Sequence, residues 1–201
     1  MTPDSPPSTR LGCVILAAGA SARMGTPKQL LPVGGRPLIV RAAEAALASG
    51  VWPVVVVLGA NADQIRPVLV RLPVLTVENP AWPEGMASSI RVGIAALSQL
   101  SRSLEGAVVA LCDQPAFSAG TIAQLIAAQR ETGRGIAAAR YGGRQGAPAL
   151  FLRAHFPALV ALTGEEGART LLNDDLATVA AVDLPDLAVD LDTPADYAAL
   201  R

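Results

Sequence analysis

Residues 54–58, in the stretch PVVVVLG, are five consecutive branched or long apolar side chains with no polar residue among them. A strand covered on one face alternates apolar with polar, so an unbroken run needs cover on both faces. A parallel sheet with helices above and below it provides that cover. Similar short runs recur at residues 13–18 (CVILAA), 75–78 (LTVE), 106–113 (GAVVALCD), 135–140 (GIAAAR) and 149–152 (ALFL), and again at 178–184 (TVAAVDL) and 187–192 (LAVDLD). Ala- and Leu-rich segments of helical character fall between them: PLIVRAAEAALASG, NADQIRPVLVRL, SSIRVGIAALSQL, SAGTIAQLIAAQRE, EEGARTLLND and TPADYAAL. Gly50 closes the first and Asn61 or Asp63 opens the second. This alternation predicts an α/β fold, a doubly wound and mostly parallel sheet of Rossmann-like form, with the later, closely spaced strands making it mixed.

The chain has 201 residues, enough for one domain with a substantial core. No internal repeat or linker divides residues 11–201, so one domain is expected there; residues 1–10, with MTPDSPPST, read as a disordered Pro/Ser tail. Aromatic residues make up 3% and apolar residues 51%, so that core is Ala, Val, Leu and Ile. A net charge of −1 provides no basic field for nucleic acid. No apolar stretch approaches the ~20 residues that span a bilayer. The run LGCVILAAGA is too short and too continuous with the patterned loop after it to be a signal peptide. Cys13 and Cys112 sit inside apolar runs and read as buried thiols of a cytoplasmic protein. A single histidine, His155 in LFLRAHFPAL, excludes a His-rich zinc site and leaves little room for a Ser-His-Asp hydrolase.

Open α/β sheets bind ligands beyond the carboxyl ends of their strands. Four segments with unusual residues lie there: the loop after Ala18, ENPAWPEGMASS, CDQP and DLDTP. The first contains Lys28, the only lysine among 16 Lys and Arg residues. Gly19 and Gly25 let the backbone curl and direct amides at an anion, while Arg23 and Lys28 supply charge. The loop is neither Walker A nor GxGxxG, since five residues separate its glycines and Ala17-Ala18 precede a lone Gly19. A compact ammonium suits phosphate oxygens in a way that a guanidinium does not, so function pins Lys28 in an otherwise all-arginine chain.

Asp113 ends the fourth run, where a carboxylate can hold Mg²⁺ or cap a turn. Asp190 and Asp192, two apart on an expected strand, share one side, and either is a candidate second carboxylate. Asp192 is also a candidate cap for the helix opened by Thr193-Pro194. Gly85 and Ser88-Ser89 place backbone and hydroxyl groups at a helix start, suited to a phosphate or a polar edge. Trp82 is an aromatic wall or a core plug. The Gly-rich RYGGRQGAPALF and LTGEEGARTLL, with Arg144 and Arg169, look like the mouth of a second pocket; Glu166 there is also ordinary first-turn helix charge.

The stretch LAAGASARMGTPKQLLPVGGRPL resembles the LAAGxSxRMGxxKxLLxxxGxPL signature of the MobA-like nucleotidyltransferases related to molybdenum-cofactor synthesis. NPAWPEGMASSI, CDQP, GAPALF, GEEGAR and DLDTPADY are similar, in order, to further motifs of the CTP:molybdopterin cytidylyltransferase branch, so the likeness runs from Val14 to Tyr197. It implies nucleotide binding by Ala17, Ala18 and Gly19 beside base and ribose, and by Arg23 and Lys28 at the triphosphate. Asn79, Gly85 and Ser89 would select the base, and Asp113 and Asp192 would carry Mg²⁺, or Mn²⁺ in its place. Guanylyltransferase relatives usually read LAGG, so Ala18 favours CTP over GTP. Two elements depart from the branch: GHP is here Gly146-Ala147-Pro148, and GDxGAR is here GEEGAR.

The resemblance implies CMP transfer from CTP to the terminal phosphate of molybdopterin or its metal-loaded form, with pyrophosphate released and a molybdoenzyme as recipient of the product. A phosphate monoester, with a second pKa of about 6, is already ionised near neutrality, so no general base is needed. Lys28, Arg23 and Asp113 are then the catalytic candidates, through charge and alignment. Two alternatives stay open: a guanylyl- or sugar-phosphate nucleotidyltransferase on the same scaffold, and a non-catalytic protein that holds nucleotide or pterin.

Overall fold

The computed structural model describes residues 10–173 and 178–200. The expected tail, residues 1–9 in particular, and Asp174 at the end of one expected helix lie outside the described residues. Along the chain the strands are β1 (Leu11–Ala17), β2 (Pro32–Val33), β3 (Arg36–Pro37), β4 (Val54–Leu58), β5 (Leu75–Glu78), β6 (Gly106–Leu111), β7 (Ile136–Tyr141), β8 (Arg144–Leu152) and β9 (Val179–Asp183). The helices are α1 (Leu38–Ala48), α2 (Ala62–Leu69), α3 (Met86–Leu100), α4 (Ala119–Thr132), α5 (Phe156–Val160), α6 (Arg169–Asn173) and α7 (Pro194–Ala199).

Seven strands form one sheet in the order β5-β4-β1-β6-β8-β7-β9, and β2 and β3 make a separate small hairpin. β5, β4, β1 and β6 are parallel, β8 runs antiparallel to both β6 and β7, and β9 is parallel to β7. The mixed α/β sheet expected from the apolar runs is therefore present. β4 and β1 are buried along their whole length. Alternate residues of β1 serve opposite faces: Cys13, Ile15 and Ala17 meet Ile39, Ile65 and Ile122 on the side of α1, α2 and α4. Val14 and Leu16 meet Ile90, Ile94 and Phe156 on the side of α3 and α5. That period of two, with apolar residues at every position, is why the runs show no alternation.

Two helices start on side-chain caps, whereas Asn61, at the start of α2, makes no side-chain cap bond. Ser118 accepts from the Thr121 amide ahead of α4, and Thr193 accepts from the Asp196 amide ahead of α7. Thr193 thus caps α7, which leaves Asp192 for other partners. Helix α6 begins at Arg169, four residues later than the GEEGAR pattern suggests.

One expected strand is absent. Residues 187–192 form the end of a short 3₁₀ turn (Pro185–Ala188) and then an extended loop, with Leu187 and Leu191 buried as anchors. The Leu191 amide donates to the Asp113 carbonyl at 3.1 Å, so the loop lies across the end of β6. An apolar-polar alternation resembles a strand, but here it serves to pin a loop.

β1 is the switch point, with β4 and β5 on one side and β6, β8, β7 and β9 on the other, where open sheets leave a crevice. Past the pair Val109–Ala149, β6 and β8 no longer pair, and the wedge between them opens a cavity.

Candidate active site

The loop after β1 is closed from within. Gln29, 1% exposed, donates through Nε2 to the carbonyls of Ala17 (3.1 Å) and Gly19 (2.9 Å). Ser21, at φ 57°, donates its hydroxyl to Gln29 Oε1 at 3.2 Å and accepts from the Lys28 amide at 3.1 Å. These two residues were not singled out from the sequence; a glutamine between a lysine and two leucines is the one signal that marks them. Their bonds fold the chain back so that Lys28 faces the end of β6.

Lys28 Nζ lies 2.5 Å from Asp113 Oδ2 and 2.6 Å from Asp192 Oδ1, and Arg23 reaches the other oxygen of Asp192 at 2.8 Å. Burial works against the Lys28 ammonium, but the charges and hydrogen bonds of Asp113 and Asp192 outweigh it and raise its pKa. The hydrogen bond from Lys28, then the charges of Lys28 and Arg23, hold Asp192 below the usual carboxylate range. Asp190, beside it, is pushed up to about 6 by burial and by the charges of Asp113 and Asp192. Asp190 and Asp192 do share one side, without the strand that was to align them.

Two cavities meet here. The smaller, about 310 Å³, is lined by Ala17, Ala18, Gly19, Trp82, Gly85 and Ser89 among others. The larger, about 610 Å³, lies in the wedge between β6 and β8 and has Val109, Phe151, Tyr141, Gln145, Arg144 and Arg169 in its wall. Lys28 and Asp113 belong to both walls.

Of the expected nucleotide-binding residues, Asn79 alone stands behind the wall. It is 1% exposed and donates to the hydroxyls of Ser88 (2.7 Å) and Ser89 (3.0 Å), bracing the start of α3. Ser89 accepts that bond, which leaves its own hydroxyl proton free to donate. Gly85, at φ 104°, abuts the loop before α6: a Cβ there would stand 2.7 Å from Glu165 Cα and 2.8 Å from the Gly164 carbonyl. Gly19, by contrast, would place a Cβ in open space. Trp82 serves as both wall and plug, since it lines the smaller cavity and packs on the α3-side core.

The donor chemistry fits a hard divalent cation. Asp113 Oδ1 and Asp190 Oδ1 are buried and have no hydrogen-bond partner. Among the described residues no group of three or more His, Cys, Asp or Glu converges, so the remaining ligands would be phosphate oxygens and water, as Mg²⁺ prefers. Cys112 adjoins Asp113, but burial pushes its thiol well up; burial likewise pushes Cys13 to about 12, so neither is reactive.

The sequence pattern of the MobA-like NTP transferase domain matches residues 13–182. The chain belongs to that family. This MobA-like chain is 38% identical to nicotine blue oxidoreductase of Paenarthrobacter nicotinovorans, over 92% of its own length and 95% of that protein's. It superposes on the crystal structure of an Rv0371c homologue from Mycobacterium sp. strain JC1 with a TM-score of 0.79 at 34% identity, covering 96% of this chain and 95% of the other. Rv0371c of Mycobacterium tuberculosis H37Rv, in complex with manganese, superposes with a TM-score of 0.76 at 29% identity, covering 96% and 98%. Among the described residues of this MobA-like chain no helix is long and apolar enough to cross a membrane.

Proposed function

We propose that the chain transfers CMP from CTP to the terminal phosphate of a molybdopterin-type acceptor and releases pyrophosphate. The observation that carries this reading is the meeting of two cavities at Lys28 and Asp113. A group transfer needs two substrates end to end with charged groups at the junction, and the shared wall provides that arrangement.

CTP would occupy the smaller cavity, its base and ribose along Ala17, Ala18 and Gly19 and near the Ser89 hydroxyl. The acceptor would occupy the larger one. An acceptor phosphate oxygen forms the new bond to the α-phosphorus, and the bond from that phosphorus to the α,β-bridging oxygen breaks. The electron pair leaves with pyrophosphate. No proton has to move, which agrees with a junction that has cations and carboxylates but no imidazole. Lys28, kept charged by its two carboxylates, and the exposed Arg23 stabilise the departing negative charge. Asp113 and Asp192 would hold Mg²⁺, or Mn²⁺ as in the Rv0371c complex; when bound, the ion neutralises phosphate charge. Residues 11–201 would act as one unit, in the cytoplasm, where Cys13 and Cys112 stay reduced, and a molybdoenzyme would receive the product.

The 38% identity to a protein named an oxidoreductase favours one second reading, in which the smaller cavity holds a nicotinamide dinucleotide and the larger one a dye-like acceptor. A single experiment separates the two: purified protein with Mg²⁺, molybdopterin and each NTP in turn, assayed for pyrophosphate, beside NADH or NADPH with a quinoid dye, followed at 340 nm. Pyrophosphate with CTP supports the transfer; dye-dependent loss of absorbance without pyrophosphate overturns it.

A further inference from the structure

The larger cavity combines charged and polar side chains with one apolar stretch of wall. Ile90, Val109, Ala149, Phe151 and Leu172 line it, and Gln145 stands among them, 6% exposed. Buried side-chain amides are almost always hydrogen-bonded, because an unpaired one costs the desolvation of each polar end. Gln145 Oε1 is buried with no partner, and no protein group bonds to its Nε2 among the described residues. The other buried glutamines use their Nε2 within the fold, although Gln114 Oε1 also lacks a partner. Gln29 closes the β1 loop, and Gln114 donates to Tyr141 and to the carbonyls of Ala147 and Leu187.

The residue is held firmly all the same. Its backbone pairs with Arg140 on the β7 side. On the other side, where β6 no longer reaches, Asn173 of α6 replaces the missing strand: its Oδ1 accepts from the Gln145 amide at 3.3 Å and its Nδ2 donates to the Gln145 carbonyl at 3.2 Å. The irregular pairing between Ala138 and Ala139, opposite Ala149 and Gly146, turns this end of β8 relative to the rest. A backbone clamped on both edges presents a carboxamide that the fold itself does not use. An amide left unpaired in this way costs stability, a cost that a ligand bonded to it would offset.

We propose that Gln145 is the acceptor-selecting residue of this site. Its carboxamide, a donor beside an acceptor, pairs with a substrate edge that offers the complementary pair, as a lactam or an amino-pyrimidinone does. The rest of the acceptor body is apolar enough for the surrounding stretch of wall, its terminal phosphate lies at the Lys28 junction, and any further negative charge on it would suit Arg144 and Arg169, neither of which forms an ion pair among the described residues. This inference rests on the group-transfer reading only in assigning the acceptor to the larger cavity.

The test uses the full-length chain and its Gln145→Leu and Gln145→Glu variants, with 6-hydroxymethylpterin as the probe that carries the edge and quinoxaline as a two-ring probe without it. Pterin binding is read by fluorescence, quinoxaline by competition, CTP by calorimetry and folding by thermal unfolding. Wild type should prefer the pterin to quinoxaline at least tenfold. Gln145→Leu should remove that preference, weaken pterin binding about tenfold or more, leave CTP affinity unchanged, and melt at or above wild type, since no folding bond is lost. Gln145→Glu, which keeps the acceptor but loses the donor, should also weaken the pterin. A Gln145→Leu protein that melts lower while binding the pterin as wild type does would make the residue structural and overturn the proposal. So would a wild type that binds CTP but shows no preference for the pterin. Retained pterin selectivity without binding of any nucleotide would sustain this inference while removing the transfer reading.

Discussion

Lys28 Nζ and Asp113 Oδ2, 85 residues apart in the chain, stand 2.5 Å from each other at the wall common to the two cavities. Both side chains are about five-sixths buried, at 15% and 16% exposure. Removing Lys28 leaves the Asp113 carboxylate buried and uncompensated, whereas removing Asp113 leaves Lys28 its bond to Asp192.

The chain's one lysine should therefore matter in two opposite ways. Lys28→Ala is expected to lower the rate of CTP-dependent pyrophosphate release by about 10²–10³, the usual effect of losing one electrostatic stabiliser. It should also raise the affinity of the nucleotide-free protein for Mn²⁺, because a cation that competes for Asp113 and Asp192 has gone. Steady-state kinetics and Mn²⁺ titration by electron paramagnetic resonance check the two halves. Unchanged Mn²⁺ affinity would mean that Lys28 does not occupy the cation's place.

Helix α3 lies on β1 through a glycine. A Cβ at Gly93 would overlap Val14 Cγ1 and stand 3.1 Å from Val57 Cγ2. Both valines belong to central, fully buried strands that have no room to retreat. Gly93→Ala gains about 1 kcal/mol of helix propensity. Overpacking costs about 1–3 kcal/mol, and an overlap this close at a rigid contact belongs to the upper part of that range, about 2–3 kcal/mol, so the net expectation is destabilisation by about 1–2 kcal/mol. Urea unfolding of the variant measures it, and a variant as stable as wild type would show that α3 can lift from the sheet.

Asp190 should make the metal-free protein less stable as pH rises. Burial, then the charges of Asp113 and Asp192, lift its pKa from 3.8 to about 6, so between those values the folded state holds a proton that the unfolded state has released. Stability is then highest on the acid side of this window and falls as pH rises through about 6. Asp190→Asn removes the titration. In EDTA the variant should match wild type near pH 4 and exceed it by about 1 kcal/mol above pH 6.5, a figure reduced for the water that reaches this half-buried group. Chemical unfolding across that range checks the sign; a gap that widens toward acid instead would refute it.

How legible the site was in the sequence varied with the physics behind each residue. The unbroken apolar run at residues 54–58 led directly to a sheet covered on both faces, because burial of every residue leaves a compositional trace. The position of Lys28 was legible from its singularity and its place beyond a strand. Residues 187–192 were misread, since apolar-polar alternation records which side chains are buried and not whether a neighbouring strand is there to pair with them. Leu187 and Leu191 are buried, but as anchors of a loop. Ser21, Gln29 and Asn79 do their work through long-range hydrogen bonds to backbone or hydroxyl groups, which leave no periodic signal at all. Gln145 was hidden for the opposite reason: its distinguishing feature is a bond that it does not make.

Nucleotide choice should depend on a single methyl group. Ala18 lies in the wall of the smaller cavity at the end of β1, where its carbonyl accepts from the Ala60 amide at 3.0 Å and fixes the residue against the loop after β4. That loop has little freedom to fill the void, because the Ala18 carbonyl and the Trp82 Cβ, which both remain in the variant, already crowd Gly59. Ala18→Gly should therefore enlarge the cavity locally rather than collapse it. A pocket that gains the volume of one methyl loses discrimination worth about 1–3 kcal/mol. The ratio of kcat/KM for CTP to that for GTP is expected to fall about tenfold or more in the variant, chiefly through a gain with GTP, while the melting temperature changes little. Pyrophosphate release measured with both nucleotides under identical Mg²⁺ gives the ratio. If CTP and GTP rates fell together, Ala18 would be supporting the loop and the selection between pyrimidine and purine would reside elsewhere in the wall.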